Sequence, residues 1–215
     1  MRPATRTRPR LSGTAVRTAS TKPILAVVAV LGVAGCSSGE QGTAYPVQPA
    51  MSSLAQQTKA AALPQRPSDL PIAGTDPCDL LGQAQLDLLK VTSVPRKAAE
   101  PKDGPTCVFD SDKTEPFHAL HLRIVNADVQ EWLTGSRRKN SMTTAATSVE
   151  GYPAITNYRA AGTPADCEVL VGVAAGQTMA AQEFAVTAGA FSQPQLCDIA
   201  TQAAGLAVQG LKNRT

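Results

Sequence analysis

The 215-residue chain is poor in aromatic residues and in histidine. It holds one Trp, three Tyr and four Phe, and its histidines are His118 and His121. Any histidine-dependent triad or general base must therefore use one of these two side chains. They lie three residues apart in a predicted strand and so point to opposite faces, which disfavours a shared metal ion. The sequence predicts no metal site and no cofactor.

The chain also lacks a membrane-spanning apolar run. The run from Ile24 to Val33 is shorter than the roughly 20 residues that a spanning helix needs. It matches a secretory signal peptide, and Arg17 and Lys22 supply the positive flank. The run ends in Val33-Ala34-Gly35-Cys36, the pattern that lipoprotein signal peptidase cleaves. Residues 1–35 are therefore predicted to be a lipoprotein signal peptide, with Met1 and Val16 as alternative starts.

Cleavage before Cys36 changes the charge of the protein. Six basic residues and no acidic residue precede Cys36, so the mature chain keeps 14 basic against 17 acidic residues, a net charge of −3. This charge argues against nucleic-acid binding. Fatty acyl chains on Cys36, palmitate among them, would instead anchor the protein. We expect a lipoprotein on the extracytoplasmic face of the cell membrane.

Composition divides the mature chain in two. Residues 36–74 carry the lipidated cysteine and are rich in Pro, Ser, Gly and Ala, without apolar periodicity. Such a segment is predicted to be a disordered tether that spans about 30 Å. Residues 75–215 are predicted to form a single domain.

The apolar pattern of that domain predicts an α+β fold. Asp76 and Pro77 open a helix that continues to about Lys90, and apolar residues at helical spacing after Pro194 indicate a terminal helix. Predicted strands cover residues 107–109, 118–125, 152–159, 167–174 and 178–186. We therefore expect an antiparallel sheet of about four to six strands, packed by an N-terminal and a C-terminal helix.

Four cysteines follow Cys36, and an even number in an exported domain favours two disulfides. Sequence spacing favours Cys78 with Cys107 and Cys167 with Cys197. The crossing pairings close longer loops and would stabilise slightly more, so the loop entropy does not choose between them. The chain has no Cys-x-x-Cys motif and no close cysteine pairs typical of a zinc site.

Catalytic motifs are also missing. Gly35 to Gly39 match a Gly-x-Ser-x-Gly elbow, but no strand and helix flank that serine as the motif requires. The sequence therefore favours a non-enzymatic binding module whose partner is an envelope protein, a glycan or a lipid. One alternative is an envelope hydrolase that uses His118 or His121. Another is a carrier that holds a lipidic ligand between the sheet and the terminal helix.

The cysteine neighbourhoods resemble those of a known family. In order along the chain they are Asp76-Pro77-Cys78-x-Leu80-Leu81, Cys107-x-Phe109, Val149-x-Gly151-x-Pro153-Ala154, Cys167-x-Val169-x-Val171-x-Val173 and Cys197-x-x-Ala200. Together they resemble the actinobacterial lipoprotein family designated domain of unknown function 3558, which often has Trp at the position of Phe109. The resemblance covers about residues 76–211. It implies a cell-envelope lipoprotein with a disulfide-supported α+β domain, and it carries over no catalytic residue.

Overall fold

The computed structural model describes residues 62–214. A 3₁₀ turn at Pro77–Asp79 precedes the helices α1 (Gln83–Leu88), α2 (Gln130–Leu133) and α3 (Gln193–Lys212). The strands are β1 (Arg96–Lys97), β2 (Thr106–Ser111), β3 (His118–Val125), β4 (Met142–Val149), β5 (Tyr152–Arg159), β6 (Asp166–Ala174) and β7 (Gln177–Ala185). The domain is α+β, as the sequence predicts.

All seven strands form one sheet in the order β1-β2-β3-β7-β6-β5-β4, and every pair of neighbours is antiparallel. Seven strands exceed the predicted four to six. The two strands that the sequence analysis missed are β1 and β4, which form the two edges of the sheet. Edge strands are less buried, so they lack the apolar alternation by which strands are recognised. In β4 only Val149 is buried.

The predicted N-terminal helix is divided into two short elements. The Asp76 carboxylate accepts a hydrogen bond from the Cys78 amide at 3.0 Å, so the predicted cap is present. It caps only the three-residue 3₁₀ turn, and α1 begins after Gly82. Glycine lowers helix stability, which explains why the chain does not continue as one helix to Lys90.

Helix α3 packs on one face of the sheet, here called the inner face. Ser192 caps its N-terminus and Pro194 lies in its first turn, where a missing amide proton costs nothing. Small buried residues, among them Ala200, Ala203 and Ala207, let the helix approach the strands closely. This layer forms the main apolar core of the domain.

Two disulfides hold the same layer together. Cys78 pairs with Cys107, which ties the 3₁₀ turn to β2, and Cys167 pairs with Cys197, which ties β6 to α3. This is the pairing that sequence spacing favours.

The opposite face of the sheet, here called the outer face, is covered only in part. Val129 and Trp132, at the short helix α2, pack on Ile155, Leu170 and Ala180 in a second, smaller apolar cluster. The remainder of the outer face carries polar side chains, which are described below.

The packed part of the chain begins before residue 75. Leu70 and Ile72 are buried, the Leu70 amide donates to the Val173 carbonyl at 2.8 Å, and the Ile72 amide donates to the Gln177 side chain at 2.7 Å. Residues 70–72 therefore belong to the folded domain and not to the tether. Within residues 62–214, no helix is both long enough and apolar enough to cross a membrane.

Candidate functional site

The two histidines lie on opposite faces of the sheet, as the strand periodicity of β3 predicts. His118 shares the inner face with Leu120 and Leu122, while His121 lies on the outer face. Their surroundings differ in charge and in burial, so each histidine is described separately.

His118 is held by a carboxylate from the neighbouring strand. Its Nδ1 lies 2.7 Å from Oε1 of Glu183, and the two side chains are 9 % and 0 % exposed. Leu120 is the register partner of Glu183, so His118 reaches Glu183 diagonally across the β3–β7 pair. The ring of Phe191 meets the His118 ring edge-on, with 5.8 Å between centroids. The imidazole is therefore fixed in position by a hydrogen bond and an aromatic contact.

Glu183 is the most enclosed charged residue of the domain. Burial raises the pKa of its carboxyl, and the hydrogen bond from His118 opposes part of that rise. Its second oxygen, Oε2, has no hydrogen-bond partner among residues 62–214. A buried carboxyl with one free oxygen is costly to the fold.

His118 opens on a cleft of about 630 Å³, here called the His118 cleft. The cleft lies where the end of α1, the β2–β3 hairpin and the N-terminal half of α3 meet. Its apolar lining includes Leu88, Phe191 and Ile199. Its polar lining includes Ser111 and the charged residues Asp87, Lys90 and Glu115. Leu88, at the end of α1, is 62 % exposed. An apolar cleft with a few convergent polar groups is the usual form of a small-molecule site.

The middle of the sheet–helix layer offers no such space. Leu196, Ala200 and Ala203 of α3 are completely buried, as are Val169 and Val171 of β6 beneath the helix. Within residues 62–214, the expected ligand between sheet and terminal helix would find room at the edge of this layer, in the His118 cleft. Close packing by small side chains fills the rest.

His121 lies against Phe184 on the outer face, with 4.6 Å between ring centroids. Burial lowers the pKa of its imidazole; nearby Asp110 opposes this shift, and Arg123 and Arg96 add to it. The aromatic contact and the partial burial account for His121 without a ligand.

A chain of polar side chains crosses the outer face from β3 to β4. Arg123 pairs with Glu168, and the Asn157 amide donates to the other oxygen of Glu168 at 3.2 Å. The Thr144 hydroxyl donates to the Asn157 carbonyl oxygen at 3.0 Å. Glu168 and Asn157 are buried, and their polar groups satisfy one another. The Nε of Arg123 has no partner among residues 62–214, and the remaining groups form a structural network between strands.

A larger cleft of about 730 Å³ lies beside the 3₁₀ turn. Asp76 and Lys97 form an ion pair across it at 2.7 Å, and the hydrogen bond between them lowers the pKa of Asp76 and raises that of Lys97. Alanines, prolines and glycines make up much of its remaining wall. An exposed ion pair of this kind contributes little free energy and offers no buried reactive group.

Sequence reasoning identified His118 but missed two neighbours. Glu183 lies in the strand predicted over residues 178–186 and shares the inward alternation of Met179 and Ala181. A charged residue at an inward position was the signal that could have found it. Ser111 was missed because it lies two residues beyond the end of the predicted strand 107–109.

The predicted signal peptide and the predicted lipidation site Cys36 lie outside the described residues. Among residues 62–214, no group of three or more His, Cys, Asp or Glu side chains is arranged to hold a metal ion.

The fold and the paired disulfides define a disulfide-braced α+β domain, with a buried His118–Glu183 pair at one edge of the sheet–helix layer. A family model for proteins of unknown function, DUF3558, matches residues 31–210. The chain belongs to the DUF3558 family. No curated protein and no solved structure matches it significantly.

Proposed function

We propose that this protein is a lipid-anchored protein of the cell envelope that binds an amphipathic ligand in the His118 cleft. The anchor is the acylated Cys36, which would hold the domain on the extracytoplasmic face of the membrane. Two disulfides support an oxidising compartment, because such bonds persist mainly in exported proteins. The mature net charge of −3 supports a partner other than a nucleic acid.

The observation that carries the binding proposal is the make-up of the cleft. Apolar side chains form part of its wall beside charged residues at its rim, and His118, which is bonded to the buried Glu183, lines it as well. A ligand with an acyl or other apolar tail would cover these walls, and a polar head would face the imidazole. Burial of an exposed Leu88 against such a tail would supply binding free energy, about 25 cal/mol for each Å² of apolar surface.

A fluorescent fatty acid tests the proposal. The protein is the mature chain, residues 36–215, with Cys36→Ser so that it carries no acyl chain of its own. Parinaric acid is titrated into it, and its fluorescence reports entry into an apolar site. Leu88→Glu places a charge at the mouth of the cleft and should weaken binding by about tenfold or more, which corresponds to about 1.4 kcal/mol.

Val94→Glu is the matched control. Val94 is also exposed, at 86 %, and does not line the His118 cleft. This variant should bind the probe as the parent does. Equal binding by both variants, or no binding by the parent chain, would overturn the proposed ligand site.

The anchor has a separate test. Incorporation of an alkynyl palmitate analogue into the expressed protein should depend on Cys36, and Cys36→Ser should abolish it. A parent chain that remains unlabelled in a strain with active lipoprotein processing would contradict membrane anchoring.

A further inference from the structure

Three side chains of adjacent strands meet on the inner face at the end of the His118 cleft. Ser111 of β2 is the register partner of His118 of β3, and Glu183 of β7 bonds to the same imidazole from the other side. Residues directly opposite on antiparallel strands have Cβ atoms about 5 Å apart. The sheet thus places a hydroxyl, an imidazole and a carboxyl in a row.

The hydrogen bond to Glu183 decides what the imidazole can do. An ionised Glu183 accepts a hydrogen bond from Nδ1–H of His118 at 2.7 Å, and in that tautomer Nε2 keeps its lone pair. The edge contact with Phe191 limits rotation of the ring. A neutral histidine held in this tautomer is a general base for a hydroxyl beside it.

Ser111 and His118 both line the cleft, so a ligand can reach them. No hydrogen bond joins the two in this structure; catalytic hydrogen bonds often tighten only when a substrate is bound. The apolar cleft walls beside them would hold the acyl part of a substrate. A serine, a base and an orienting carboxylate are the nucleophilic part of an acyl-transfer site.

We propose that Ser111, His118 and Glu183 form a hydrolytic site for carboxylic esters with an apolar acyl group. Ser111 and His118 are the catalytic residues, and Glu183 is a positioning residue. This inference rests on the proposed ligand cleft. It departs from the non-enzymatic role that the sequence favours and gives the hydrolase alternative a specific set of residues.

The reaction has two balanced steps. The Ser111 oxygen bonds to the ester carbonyl carbon and its proton moves to Nε2 of His118, which passes that proton to the departing alcohol as the ester C–O bond breaks. Water then attacks the acyl-serine, losing a proton to Nε2. The carboxylic acid leaves as that proton returns to the Ser111 oxygen.

Two measurements on the mature Cys36→Ser chain test the site. A fluorophosphonate probe should form a covalent adduct at Ser111, identified by peptide mass spectrometry. The chain should also hydrolyse p-nitrophenyl octanoate, and Ser111→Ala should lower kcat/KM by about a hundredfold or more. His121→Gln changes the other histidine, on the opposite face, and should leave turnover unchanged.

Glu183→Gln tests the positioning role. Glutamine presents a neutral amide in place of the carboxylate, so it stabilises the Nδ1–H tautomer of His118 less well. We expect kcat to fall about tenfold or more with KM within a factor of two. A purely structural role would change the unfolding midpoint and leave kcat of the folded fraction intact. Circular dichroism and a urea titration establish that each variant is folded.

The outcomes separate this inference from the proposed function. If parinaric acid binds but Ser111 is not labelled and Ser111→Ala does not change turnover, the hydrolytic site is wrong and the binding proposal stands. If Ser111-dependent turnover is found but parinaric acid does not bind, the binding proposal fails alone. Loss of both in a folded chain would overturn both.

Discussion

The inner and outer faces of the sheet accommodate charged side chains in different ways. On the outer face, Glu168 is bonded to Arg123 and to Asn157, so both of its oxygens have partners. On the inner face, Glu183 has His118 on one oxygen and nothing described on the other. The two carboxylates are similarly buried, but both oxygens of Glu168 are hydrogen-bonded and only one oxygen of Glu183 is. The network around Glu168 joins three strands, although the Nε of Arg123 has no partner among residues 62–214. Glu183 lies behind His118, and it is His118 that lines a cleft.

We expect the largest loss of stability when the Cys167–Cys197 disulfide, which ties α3 to the inner face, is removed. Cys167 and Glu168 are neighbours in β6 and point to opposite faces. Replacing the disulfide by Cys167→Ala with Cys197→Ala opens a loop of sequence separation 30. The loop-entropy model assigns such a bond about 3.5 kcal/mol of unfolding free energy. Urea unfolding measures it, and a loss below about 1 kcal/mol would contradict this expected contribution of the disulfide.

Breaking the outer-face network around Glu168 should lower the free energy of unfolding by less than removing the disulfide does. Glu168→Leu leaves Arg123 and Asn157 without their shared acceptor, and we expect a loss of about 2 kcal/mol, since Arg123 still reaches some solvent. The double variant Arg123→Met with Glu168→Leu replaces the pair by apolar side chains. It should regain most of that free energy in the same urea titration. A double variant as unstable as the sum of its single changes would contradict a coupled network.

Two glycines test how closely each face is covered. A Cβ added at Gly172 of β6 would lie 2.6 Å from Val129 Cγ1 on the outer face. Gly172→Ala should therefore destabilise by about 1–3 kcal/mol. In α3, a Cβ at Gly205 meets nothing closer than 3.7 Å, so Gly205→Ala should stabilise the helix by about 1 kcal/mol. Thermal unfolding measures both variants. If both substitutions stabilised the protein, or both destabilised it, the inferred difference in packing around the two glycines would be wrong.

The smallest effects are opposite pH dependences on the two faces. Burial raises the pKa of folded Glu183 above 4.5, so the folded state binds the extra proton and stability falls as pH rises from 4.5 through the raised pKa. Burial lowers the pKa of folded His121 below 6.5, so stability falls as pH drops from 6.5 through the lowered pKa.

Single substitutions separate the two contributions. Glu183→Gln should remove the loss of stability at rising pH. His121→Gln should remove the loss of stability at falling pH. Urea titrations in a pH series that crosses 4.5 and 6.5 measure both. If Glu183→Gln left the pH profile unchanged, the carboxyl would titrate in the folded state as it does in the unfolded chain.

Much of the inner layer was predictable because its residues repeat at fixed spacing. The strand at 118–125 and the terminal helix after Pro194 follow directly from alternation and helical periodicity. The edge strands β1 and β4 were missed because solvent faces them and no apolar pattern marks them. The folded start at Leu70 was missed because two apolar residues among prolines show no period.

The candidate site was predictable only at His118. Its partners come from β2 and β7, 7 and 65 residues away in the sequence, and no local pattern connects them. Strand order decides which side chains meet, and strand order depends on long-range pairing.

The sequence by itself determined the class of domain and the two faces of β3, because periodicity is a local property of a chain. The lipid anchor at Cys36 stays a prediction from a short motif. Only the tertiary structure decided that β7 lies between β3 and β6. That placement buries Glu183 against His118 and leaves Ser111 at the edge of an open cleft. The physical reason is that burial and hydrogen-bond partners depend on which distant strands pair.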